Sequence, residues 1–135
     1  MDYKNTLTTC IYCGCGCQMN IETLDGQIIG VWPSKTQEIS QGKLCIKGWN
    51  VTSFSDHADR LTTPLIRKNG ELVEASWDEA LTLMAERLGA IKTESGPDSV
   101  AFLASAKCTN EENYLFNKLA RAVFNTNNID HCARL

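Results

Sequence analysis

Hydrophobic and polar residues alternate with a period of two at several points in the first half of the chain, and the pattern shifts to a helical period in the second half. From Gln18 to Leu24, Met19, Ile21 and Thr23 fall on one face, as in a half-buried strand. Asp25-Gly26 then marks a tight turn and Gln27 to Trp32 continues as a second strand, a strong hairpin signal. Pro33 to Gly42 is polar and reads as a loop, and Leu44 to Phe54 reads as a short helix with Cys45 near its start. A second hairpin is predicted at Leu65–Lys68 and Glu71–Glu74, joined by Asn69-Gly70. Ser76-Trp77-Asp78-Glu79 is a capping box opening a helix. Trp77, Leu81, Met84, Leu88 and Ile91 share one face of it, and Gly96-Pro97 ends it. Ser99 to Ala104 suits a buried strand. Thr109 to Glu112 is a second capping box, and Leu115, Leu119, Ala122 and Val123 form the apolar face expected of the helix that follows. Asn125 to Asn128 reads as a loop, with a further strand starting at Ile129.

The fold class expected from this order is α/β in the broad sense, an α+β fragment. A small β-rich module spans 1–60, and the beginning of a parallel α/β domain spans 61–135. A single confident strand cannot cover both faces of its helices, so the chain reads as the beginning of a larger protein. A small complete domain with a short tail is the alternative.

Composition narrows the function. With 13 Lys+Arg against 16 Asp+Glu, the net charge of −3 argues against a nucleic-acid or anionic-membrane binder. Hydrophobic residues at 43% and charged residues at 21% fit a globular chain. No apolar run approaches the roughly 18 residues of a membrane helix. The N-terminus has no basic, apolar or twin-arginine signal, so a cytoplasmic location is the default expectation.

The seven cysteines carry the chemistry. An odd number in a reducing compartment argues against a disulfide framework and for metal binding or redox chemistry. Cys10, Cys13 and Cys17 form C-x2-C-x3-C, and Cys45 follows after 27 intervening residues. Three ligands in one tight loop with a distant fourth suit a cubane iron–sulfur cluster. Gly14 and Gly16 let the backbone wrap closely and aim amides at sulfur. Cys15 reads as a small buried filler, because Cys13-Gly14-Cys15 leaves little room to reach two corners of a cube. A structural four-thiolate zinc site stays open as the rival, although no second C-x2-C knuckle surrounds Cys45. Cys108 and Cys132 read as core cysteines, and His57 and His131 as packing or surface residues. Lys47 is either a solvated lysine or an ammonium beside an anionic cluster, bridging to a second cofactor.

The stretches Cys10-Ile11-Tyr12-Cys13-Gly14-Cys15-Gly16-Cys17 and Gly42-Lys43-Leu44-Cys45-Ile46-Lys47-Gly48 resemble the N-terminal iron–sulfur segment of molybdopterin oxidoreductases. Thr63-Pro64-Leu65-Ile66-Arg67, Ser76-Trp77-Asp78-Glu79-Ala80 and Thr109-Asn110-Glu111-Glu112-Asn113-Tyr114 match as well. Asn127 to Arg134 most resembles the molybdenum- or tungsten-dependent formate dehydrogenases.

The resemblance implies a [4Fe–4S] cluster on Cys10, Cys13, Cys17 and Cys45, with Lys47 relaying electrons between it and one pterin of a bis-molybdopterin guanine dinucleotide. It implies reversible oxidation of formate to CO2, with iron–sulfur subunits of a formate dehydrogenase or hydrogenase complex as partners. Lys107 stands where relatives often carry arginine near the cofactor; lysine keeps the charge and loses the planar fork. Relatives continue for several hundred residues, so the segment alone is expected to be inactive. In the resembled dehydrogenases the stretch matching Asp130 to Leu135 is followed at once by a selenocysteine or cysteine ligand to the metal. The expectation is therefore an in-frame selenocysteine codon at position 136. Nitrate reductase or another molybdenum or tungsten oxidoreductase, and a non-catalytic zinc or iron–sulfur protein, are the alternative functions.

Overall fold

A computed structural model describes residues 1–55 and 57–132. Residues 133–135, on which the selenocysteine expectation leans, lie outside the described residues. The chain forms two compact units. Among the described residues, one comprises 1–55, 57–58, 104–116 and 131–132, and the other 59–103 and 117–130.

The first unit is built on an antiparallel three-stranded sheet in the order β1 (Tyr3–Thr9), β2 (Gln18–Leu24), β3 (Gln27–Pro33). Asp25 and Gly26 both take positive φ, the turn geometry that matches the strand twist, so this hairpin forms as its sequence predicts. β1 had no counterpart in the hydrophobic pattern. Its strand face is mostly exposed, so periodicity carried no signal, and it is held by register with β2. Cys10, Met19, Val31 and Val51 form the core, with Tyr12, Cys17, Ile21 and Leu44 packed against it. The helix expected from Leu44 to Phe54 is a single turn, α1 (Ile46–Trp49), with Cys45 as its N-cap, and turns follow it. An edge contact between Trp32 and Trp49, 6.0 Å between centroids, seats α1 on β3.

In the second unit, β4 (Leu65–Lys68) and β5 (Glu71–Glu74) form the predicted hairpin. Ser76 caps α2 (Trp77–Ser95), accepting a hydrogen bond from the Glu79 N–H at 3.1 Å. β6 (Phe102–Ser105) starts three residues later than expected and pairs with β7 (Ile129–Cys132). Between them in sequence come α3 (Asn110–Lys118), whose residues 110–116 belong to the first unit, and a π-helical segment, Leu119–Phe124, in the second.

The buried face here corrects the sequence reading. Ala120 and Phe124 are buried and pack with Val100 and Phe102, whereas Leu115, Leu119, Ala122 and Val123 are exposed. The π-helical winding shifts the phase of the segment, so a period of 3.6 picks the wrong side. Buried Thr126 donates to Asp98, and Asn128 donates to the Asp98 carbonyl, fastening the loop before β7 to the turn after α2. Among the described residues no helix is long and apolar enough to cross a membrane.

Candidate iron–sulfur site

The loop from Cys10 to Cys17 is closed at its base, where the Cys10 N–H donates to the Cys17 carbonyl at 2.8 Å. Cys10 is buried at the end of β1, Cys13 and Cys17 are half-buried, and Cys45 is exposed at the start of α1. All four lie in the first unit. Burial, and then the neighbouring charges of Cys10, Cys13 and Cys45, push the Cys17 thiol up from its ordinary value. Cys45 is drawn the other way. The backbone N–H groups of Gly48 and Lys47 favour its thiolate, although its sulfur makes no full capping hydrogen bond. The site thus pairs a thiolate-stabilising helix start with a thiol-rich loop. Among the described residues no three His, Cys, Asp or Glu side chains stand close enough to share a single metal ion. In a [4Fe–4S] cube each thiolate instead takes its own iron.

Lys47 is exposed, and its ammonium lies 5.7 Å from the ring centroid of Tyr12, a residue of the cysteine loop. That cation–π contact brings the Lys47 charge beside the loop. Lys107 is exposed in the turn after β6, where its N–H donates to Ser105 Oγ at 3.1 Å. Three cysteine readings are corrected. Cys15 is exposed rather than a buried filler, its thiol pushed up by a hydrogen bond with Cys13 and by the charges of Cys13 and Cys17. Cys108 is half-buried rather than a core residue. Cys132 is exposed, 3.8 Å from Ser105 Oγ. His57 and His131 are exposed.

The two loop glycines serve different needs. Gly16 adopts a φ of +60°, the left-handed region that disfavours other residues. A Cβ at Gly14 would stand 2.5 Å from Asn110 Oδ1, so any larger residue there would displace the Asn110 side chain. Sequence reasoning missed the two side chains that grip this loop. Gln37 donates to the Gly16 carbonyl at 2.7 Å, and Asn110 donates to the Gly14 carbonyl at 2.9 Å. Gln37 sits in a stretch read as polar loop, and Asn110 in a motif read as a helix start and as part of the family resemblance, with no role for its side chain.

The family profile described as the molybdopterin oxidoreductase Fe4S4 domain matches residues 3–57, and the molybdopterin oxidoreductase profile matches residues 60–135. The chain is 53% identical over all 135 residues to the F420-dependent formate dehydrogenase 1 subunit alpha of Methanococcus maripaludis. It is 47% identical over 135 residues to the F420-dependent formate dehydrogenase subunit alpha of Methanocaldococcus jannaschii. In both cases all of this chain matches 19% of the relative, so it spans about a fifth of their length, at their N-terminal part. The chain belongs to the molybdopterin oxidoreductase family, an Fe4S4 domain followed by the start of the molybdopterin domain.

Proposed function

We propose that the chain is the N-terminal iron–sulfur portion of a formate dehydrogenase catalytic subunit, serving the conversion of formate to CO2, a proton and two electrons. Cys10, Cys13, Cys17 and Cys45 hold a [4Fe–4S] cluster. The observation that carries this reading is the placement of these four cysteines and Lys47 in one unit of a chain matched end to end by formate dehydrogenase alpha subunits. The donor set fits the group: four thiolates, with backbone N–H groups at Cys45 and an ammonium nearby to offset negative charge. When bound, the cluster supplies one-electron transfer and the molybdenum or tungsten bis-molybdopterin guanine dinucleotide supplies the two-electron chemistry.

The protein's part is binding and electrostatics. Cys45 is pre-disposed to the thiolate form that iron requires. Lys47, on α1 and leaning on Tyr12 beside the cysteine loop, would lie between the cluster and the pterin and serve electron relay there. Lys107 contacts the pterin as a point charge. Iron–sulfur subunits of a formate dehydrogenase or hydrogenase complex take the electrons, and the enzyme works in the cytoplasm.

The test is formate-driven turnover of the full-length holoenzyme. Lys47→Ala should keep the cluster content and sharply lower turnover. Unchanged turnover would return Lys47 to a solvated surface role, and absence of formate-dependent turnover in the unsubstituted enzyme would refute the assignment to formate.

A further inference from the structure

The carbonyls of Gly14 and Gly16, on either side of Cys15, are each held by a side-chain carboxamide from elsewhere in the same unit. Asn110 comes from the first turn of α3, 96 residues away in sequence from Gly14. That turn is itself rigid. The Thr109–Glu112 capping box closes in both directions, at 2.7 and 3.3 Å, and Asn113 ties α3 to Ser105 by bonds to both its N–H and its carbonyl. Gln37 is equally fixed, since its Oε1 accepts from the Gln18 N–H at 2.8 Å and from Ser40 Oγ at 2.7 Å. Two anchored amides thus grip a loop that has no ladder of its own.

The geometry points to Gln37 and Asn110 as positioning residues that clamp the cysteine loop from outside and so set its hold on the cluster and the cluster's reduction potential. This inference rests on the cluster assignment made above. The physical link is peptide planarity. In a trans peptide the C=O and N–H point in opposite directions, and the described residues contain no cis bond. Holding the Gly14 carbonyl toward Asn110 therefore turns the Cys15 N–H away from Asn110. Holding the Gly16 carbonyl toward Gln37 turns the Cys17 N–H away from Gln37, which fixes the direction of that donor within the cysteine loop. Backbone donors directed at cluster sulfurs are a principal lever on potential, so the clamp orients that lever without touching iron.

The test uses substitutions that remove the donor and little else. Gln37→Glu keeps the acceptor for Gln18 and Ser40 and loses the donor to Gly16. Asn110→Asp suits a helix N-terminus and loses the donor to Gly14. Asn110→Leu removes the donor without adding charge. In the full-length holoprotein, cluster loss to an iron chelator should speed up about 10–100-fold, the usual consequence of losing an outer partner. The midpoint potential and EPR signature of the reduced cluster should change in all three variants, with far-UV circular dichroism unchanged.

A shift in the two acidic variants alone, absent from Asn110→Leu, would mean added charge and would overturn the clamp. A second arm reads the close approach. Gly14→Ala should lose the cluster, and Gly14→Ala with Asn110→Ala, which removes the obstructing side chain, should regain it in part. An equal defect in single and double variants would overturn the proposal. An unsubstituted protein without iron and sulfide would instead refute the cluster assignment, whereas a normal cluster with indifferent variants refutes only the clamp.

Discussion

Around the cysteine loop of the first unit, side chains hold the backbone. Gln37, Asn110 and Asn113 each bond main-chain groups, and the core beneath them is a small group around Met19, which is 1% exposed. In the helical unit, packing and regular hydrogen bonding do more of the holding, through Phe102 against Phe124 at 5.1 Å and the nineteen-residue helix α2. Yet α2 leaves much of its apolar stripe uncovered: Trp77 is 67%, Leu81 48% and Met84 53% exposed. The difference teaches that irregular backbone around a site is fixed by specific polar contacts, because it has no ladder to satisfy its peptide groups. A regular element satisfies its own backbone and can stand with an apolar face open.

Substitutions can sharpen or break this contrast. Phe124→Ala, in the helical core, should cost about 3–5 kcal/mol in chemical denaturation, the range for deleting a buried aromatic ring. Met19→Ala should cost about 2–5 kcal/mol and also loosen the cluster, since Cys10 and Cys17 pack in the same group. Ser76→Ala should cost about 1 kcal/mol by removing the cap on the Glu79 N–H. Leu81→Ser, on the open stripe, should change stability by no more than about 0.5 kcal/mol. A cost at Leu81 comparable to that at Phe124 would show that the stripe is covered within the chain.

Elements whose sequence and environment agreed were legible before any coordinates. Both hairpins announced themselves through Asp25-Gly26 and Asn69-Gly70, and α2 through Ser76 and Gly96. The buried side of the 119–124 segment was not, because its π winding departs from the period used to read it. β1 escaped because its face is mostly exposed. The spacing of Cys10, Cys13, Cys17 and Cys45 singled out four candidate ligands, all of which fall in the first unit. Gln37 and Asn110 could not be found that way. They act through long-range bonds to carbonyls, and a lone carboxamide in a polar stretch has no periodicity or spacing to mark it.

The central claim is that four of the seven cysteines hold one [4Fe–4S] cluster, and iron and acid-labile sulfide analysis of anaerobically purified protein tests it most directly. The protein should be brown, with about four irons and as many sulfides per chain, the content of that cluster type. The content should be lost on Ser substitution of Cys10, Cys13, Cys17 or Cys45 and kept in Cys15→Ser. Stoichiometric zinc without sulfide, or loss of the cluster in Cys15→Ser alone, would contradict it.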